Sequence, residues 1–187
     1  MARKIYRIIS WSLLALTLLS IWLALRKPSI VPVDVSPQAA QSFDQKLAQI
    51  EQPHPPGAPR EIRITEAELN SKLQQGMQET SGTPGGATAL KAATIHLESD
   101  KLVGTFTISV SGKDVYVTLG GTVAVQDGAL QFTPTEMKMG SLPVPIAAVE
   151  STLRAKLNSP QMRDLMRLPP SIKDIRIQDG ELVVRGD

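Results

Sequence analysis

Between Ala92 and Phe132 the sequence AATIHLESDKLVGTFTISVSGKDVYVTLGGTVAVQDGALQF alternates apolar with small or polar residues. That period of two marks half-buried strands, and the stretch predicts three or more of them in succession. Leu102, Phe106, Ile108 and Val110 fall on one side with Gly104 between them, while Thr105, Thr107 and Ser109 fall on the other. The first set is assigned to the inside and the second to the outside. After a Ser111-Gly112-Lys113-Asp114 turn, Val115, Val117, Leu119, Val123 and Val125 continue the inner face. The Gly120-Gly121 pair interrupts that run where a bulge or sharp bend would coil the sheet, so the expected sheet is antiparallel and strongly curved.

The ends of the chain differ in character. Ile8 to Leu25 is an uncharged run of 18 residues, which as a helix rises about 27 Å against a bilayer core of about 30 Å. A cleaved signal peptide has a shorter apolar region and a small-residue exit, whereas this run ends in Arg26-Lys27-Pro28. The reading is an uncleaved membrane anchor over 1–27, with Trp11 and Trp22 towards its two ends as interfacial residues. Arg3, Lys4, Arg7 and the amino terminus precede the span and only Arg26 and Lys27 follow it. That bias puts the N-terminus in the cytoplasm and the rest outside it, a single-pass protein of the inner membrane.

The same five basic residues explain the formal net charge of +2. Without them 15 basic side chains face 18 acidic ones, a net of −3. A nucleic-acid partner, which needs clustered Lys and Arg on a folded face, is therefore excluded. The chain has no Cys, which removes disulfides and thiolate chemistry.

Residues 28–60 contain seven prolines, including those of His54-Pro55-Pro56-Gly57-Ala58-Pro59, and read as an extended tether. Phe43, Leu47 and Ile50 recur at helical spacing within it, predicting a short amphipathic helix over 38–52 that lies on the domain or on the membrane. The domain proper is placed at 61–187, α+β in class. Thr65-Glu66-Ala67-Glu68 is a capping box, and Leu69, Leu73 and Met77 form the apolar stripe of the helix it starts, with Asn70 facing elsewhere. Two residues apart, Glu66 and Glu68 do not face each other, so capping and solvation account for them. Residues 76–86 read as a loop.

Beyond the strands, a segment around Met137 and Met139 ends at Gly140. Pro145 opens a helix carrying Ile146, Val149, Leu153 and Leu157, and a second helical piece with Met162, Leu165, Met166 and Leu168 stops at Pro169-Pro170. Ile175, Ile177, Leu182 and Val184 flank an Asp179-Gly180 turn, a closing hairpin. A pattern recurs three times: Ile95, Val123 and Ile175 each precede a leucine by seven residues across a turn. Convergence of tight hairpins on similar residues explains it better than duplication.

No catalytic constellation is present. The folded region holds one histidine, His96, which alternates with Ile95 and Leu97 on the outward side of a strand and is expected in solvent. Nucleophile motifs, a P-loop, a dinucleotide fingerprint and a zinc-binding helix motif are absent from the sequence, so no enzymatic activity, metal or cofactor is expected. The remaining chemistry is apolar, aliphatic and methionine-rich.

The helix ITEAELNSKL, the phrase LGGTVAVQDGALQF, the segment MKMGSLPVPIAAVESTL and the ending LPPSIKDIRIQDGELVV resemble uncharacterised bacterial single-pass membrane proteins of the YpmS type. More distantly, residues 61–187 are similar to the tubular lipid-binding (TULIP) superfamily. That resemblance implies a curved antiparallel sheet wrapped around one or two helices, with lipid or other apolar cargo in a membrane-tethered module of the cell envelope. The side chains it points to are Phe106, Ile108, Leu119, Met137, Met139, Val149 and Leu153. The alternative is a filled core that docks onto an envelope protein partner, a scaffold with no ligand.

Overall fold

The structure, a computed structural model, describes residues 2–28, 31–52, 60–80 and 88–186. The proline run at 54–59 and most of the expected loop at 76–86 lie outside them. The first helix, α1 (Ala2–Leu25), is followed by α2 (Pro37–Glu51), β1 (Arg60–Ile64) and α3 (Glu66–Thr80). A meander of β2 (Thr88–Glu98), β3 (Lys101–Val110), β4 (Lys113–Gln126), β5 (Ala129–Met139) and β6 (Leu142–Val144) comes next. Then come α4 (Ile146–Leu157), α5 (Pro160–Met166), β7 (Ile172–Gln178) and β8 (Glu181–Gly186). The class is α+β, and every strand pairing is antiparallel.

The strands form two sheets. The meander gives a five-stranded sheet in the order β2-β3-β4-β5-β6, and the closing hairpin joins β1 in a three-stranded sheet, β1-β8-β7. β1 has no counterpart in the sequence reading, because REIRI is short and half charged. Two-residue turns join the long strands: Ser111-Gly112, Asp127-Gly128 and Asp179-Gly180 have positive φ at both positions. That backbone matches the right-handed twist of the flanking strands. Short turns also explain the threefold pattern, since Leu97, Val125 and Ile177 lie directly opposite Leu102, Leu130 and Leu182. A tight hairpin puts residues five apart face to face.

The pairing register slips between Gly120 and Gly121, the site of the expected bulge. No side chain fits there. A Cβ on Gly121 would run into the Thr133 carbonyl oxygen and lie 2.7 Å from the Phe132 ring. Gly121→Val is therefore expected to lower the melting temperature sharply, and a variant melting within a degree or two of the parent would show that the strand can shift there.

The main core lies between the three-stranded sheet, α2 and one end of the meander. Ile50, Ile62, Ile64, Ile172, Ile175 and Val184 are buried together, with Phe43, Leu47, Val123, Val125 and Leu130 packed against them. The amphipathic helix within the expected tether thus lies on the domain. It is part of the core, so the folded unit does not begin at residue 61.

Three other expectations change. Thr105, assigned outward, is buried beside Thr118, with their hydroxyl oxygens 3.3 Å apart and satisfying each other. Gly76 lies inside α3, which runs on to Thr80. Asn70 points at a strand and is buried, as the next subsection describes.

Among the described residues no helix is long and apolar enough to cross a membrane. In α1 the described side chains are those of residues 10–24. Most of them are apolar and exposed, among them Trp11, Leu14, Leu16, Leu18 and Trp22. The last turn of α1 nevertheless touches the meander. The Ser141 N–H donates to the Leu23 carbonyl at 2.9 Å, and the Gly140 N–H donates to Tyr116 on β4 at 2.7 Å. Gly140 has a φ of +59° and sits so close to the helix end that a Cβ would lie 2.6 Å from the Leu23 oxygen.

Candidate functional site

Strand register collects the apolar residues of the meander on one face. Phe106 lies opposite Val117, which lies opposite Met139, and Gly104, Leu119 and Met137 form the next row. Ile108 pairs with Val115 in the row beyond, and Leu142 and Val144 of β6 extend the rows of Met139 and Met137. Phe106, Ile108, Leu119, Met137 and Met139 are thus brought together. Each is only half-buried. On the same face Leu97 of β2 is buried, and Leu90 and Val110 are exposed. An aliphatic sheet face of this size left half-covered is unusual for a protein core, where such residues are enclosed on all sides.

Beside that face, a cleft of about 770 Å³ separates β5 from the α4–α5 segment. β6 pairs only with Met137–Met139, so β5 runs on from Pro134 to Leu130 without a partner strand on its outer edge. The chain returns to β5 at its start, where Arg167 bridges Ala129 and the Leu168 N–H donates to the Gly128 carbonyl at 3.0 Å. α4 and α5 therefore span the gap like a strap fixed at both ends. Leu130, Phe132, Pro134, Ile146, Leu157 and Met166 give the cleft an apolar lining. Its volume lies within the roughly 300–1,000 Å³ of small-molecule sites.

α4 supplies Ile146, Glu150, Arg154 and Leu157 to this cleft, so Val149 and Leu153 belong to its neighbouring face and do not line it. Both are half-buried, and α4 has no fully buried residue. The rim is polar: Arg154 donates to Glu150 at 2.6 Å, and Arg163 stands nearby. Sequence periodicity had missed Phe132, Leu130 and Leu157 as lining residues. Pro134, which looks like a strand breaker, hides the fact that β5 is continuous; it sits where the edge has no strand to receive its missing N–H.

The polar groups of the domain serve a different end. Two side chains of α3 dock on the outer edge of β2: the Ile95 N–H donates to Asn70 Oδ1 at 2.7 Å, and Asn70 Nδ2 donates to the Ile95 carbonyl at 2.6 Å. Glu66 Oε2 accepts from the Leu97 N–H at 2.8 Å, and Glu66 Oε1 is 2.9 Å from His96 Nδ1. A helix thus covers an edge that would otherwise be open to pairing with another chain. His96 is not solvated as expected: its side chain is 17% exposed and its Nε2 has no partner among the described residues.

Glu68 completes the capping box, accepting from the Thr65 N–H at 2.8 Å while Thr65 Oγ1 accepts from the Glu68 N–H. Ser42 and Lys46 of α2 also donate to it, at 2.5 and 2.8 Å. Burial pushes the Glu68 carboxyl up, but the bonds from Lys46, Ser42 and Thr65 outweigh this and hold it down at about 2. On the outer face of the three-stranded sheet, Glu61 meets Arg185 at 2.9 Å, with Arg63 and Arg176 within 3.6 Å. The Arg185 bond keeps the Glu61 carboxyl below its ordinary range. These are structural ion pairs. Among the described residues no group of His, Asp and Glu could hold a metal ion.

No family model, curated protein or solved structure matches this chain.

Proposed function

We propose that the protein is a membrane-anchored module that holds lipid or another apolar ligand outside the cytoplasm. The observation that carries this reading is the half-covered apolar face of the meander continued by the 770 Å³ cleft under α4. The ligand's chains lie along Phe106, Leu119, Met137 and Met139 and under Phe132 and Leu157. Residues 8–25 anchor the chain, with the cytoplasmic N-terminus set by the excess of basic residues before the span. In this reading the sheet is of the tubular lipid-binding kind, curled around α4. Register slips between Leu90 and Ala92 and between Gly120 and Gly121 support such a bend, since an extra residue on one strand tightens local twist.

Leu157→Trp tests it. The side chain borders open space, so the indole should leave thermal stability nearly unchanged while displacing ligand. Full-length protein purified in mild detergent is expected to carry lipid detectable by mass spectrometry and to bind a fluorescent fatty-acid analogue, with both reduced several-fold in Leu157→Trp. A destabilisation of about 1–3 kcal/mol, as in an overpacked core, with no lipid on either protein would favour the envelope scaffold instead.

A further inference from the structure

We infer that the β3–β4 hairpin tip is a membrane-contacting edge through which the apolar face opens onto the bilayer surface. The inference rests on the anchoring role of α1 proposed above. Three observations place the tip beside the helix end. First, α1 is joined to the domain without slack, by the Ser141–Leu23 hydrogen bond and the close packing of Gly140 on the backbone of Leu23 and Ala24. The domain is thereby fixed at the point where the helix leaves it. Second, that point is level with Tyr116 and Val117 on β4, and the hairpin continues past it to Lys113, about 10 Å at the rise of a strand. Third, this end of the face is where large apolar side chains are bare: Leu90 is 51% and Val110 42% exposed, flanking Ile108 on the same side of the sheet.

The charges at the tip suit an anionic lipid surface. Lys113 is exposed, and Lys91 beside it is held by Asp114 at 2.5 Å, while Arg26 and Lys27 follow the helix end. Apolar residues flanked by exposed cations are the composition of interfacial anchors, which bury their apolar side a few ångströms into the headgroup boundary. The opposite end of the sheet is stoppered by the main core. One open end and one closed end make the face a groove loaded from the bilayer.

The absence of cysteine allows single labels. Val110→Cys, Leu18→Cys and Gln178→Cys, the last on the far sheet, would each carry an environment-sensitive fluorophore in the full chain. Each would be reconstituted into vesicles of phosphatidylethanolamine and phosphatidylglycerol. The Val110 and Leu18 labels are expected to emit blue-shifted, several-fold brighter light that spin-labelled lipid quenches, and the Gln178 label to behave as in buffer. A quenched Leu18 label with a Val110 label as accessible to aqueous iodide as Gln178 overturns the inference and leaves the anchor standing. An unquenched Leu18 label overturns the anchor and this inference with it. Gly140→Val, whose side chain would collide with the helix end, should release the Val110 label from quenching and leave Leu18 quenched. If that variant does not fold, the Val110 measurement alone decides.

Discussion

Glu68→Ala is expected to cost about 3–5 kcal/mol of unfolding free energy, the range for removing one partner of a buried, hydrogen-bonded ion pair. The carboxylate accepts from three groups, the Thr65 N–H, the Ser42 hydroxyl and the Lys46 ammonium, while the Glu68 backbone N–H donates to Thr65 Oγ1. Alanine leaves the first two without an acceptor in a part-buried site. Lys46 is 31% exposed and keeps some water, which places the cost towards the lower end. Glu68→Gln separates charge from shape. The folded carboxyl titrates near 2 against an ordinary 4.5, so its stabilisation is complete above pH 4.5 and lost as pH falls through about 2. The amount is about 3 kcal/mol. Urea unfolding of the parent should show that loss in acid, and Glu68→Gln should lack it. Glu61 contributes in the same direction, but its carboxylate is exposed among arginines, so its share should fade with added salt while that of Glu68 persists. An unchanged acid slope in Glu68→Gln would assign the linkage elsewhere.

Much of the meander was legible because period-two patterning, two-residue turns and a glycine pair are local signals. Phe106, Ile108, Leu119, Met137 and Met139 share a face because register propagates from those turns. The interior of the chain's polar chemistry was not legible in the same way. Asn70 and Glu66 are ordinary helix residues until β2 lies beside them, and only then do the Ile95 and Leu97 backbone groups need partners. Likewise Thr105 and Thr118 look like an outer face, yet two hydroxyls that satisfy each other are inexpensive to bury. β1 escaped notice because its alternation covers five residues, two of them buried, and its partner is more than a hundred positions away. The cleft was missed for a topological reason: β6 is too short to cover β5, and nothing in the spacing of Ile146, Val149, Leu153 and Leu157 says which of them faces the gap.

The placement of α2 leads to the second large effect. Ile50 is 1% exposed, in the last turn of a helix that composition assigns to a tether. It packs against the far end of the three-stranded sheet, where a Cβ on Gly186 would lie 3.2 Å from Ile50 Cγ2 and 2.8 Å from the Ser171 carbonyl. The glycine makes room for the isoleucine. Around it Ile62, Ile172 and Val184 come from three different strands of one hydrogen-bonded sheet, which cannot collapse into a void without breaking register. Ile50→Ala is therefore expected to cost about 2–5 kcal/mol, and Ile50→Val about 0.5–1.5. Lys72–Asp44 and Lys46–Glu68 hold the other side of the same helix, so a chain cut to begin at residue 61 should lose the core contacts and both pairs together. It should be unfolded or expanded, with weak protection of β7 and β8 amides from hydrogen exchange. Equilibrium unfolding of Ile50→Ala checks this directly: a cost below about 0.5 kcal/mol, the level of an ordinary surface substitution, would make α2 a passenger on the tether and return the folded unit to residues 61–187.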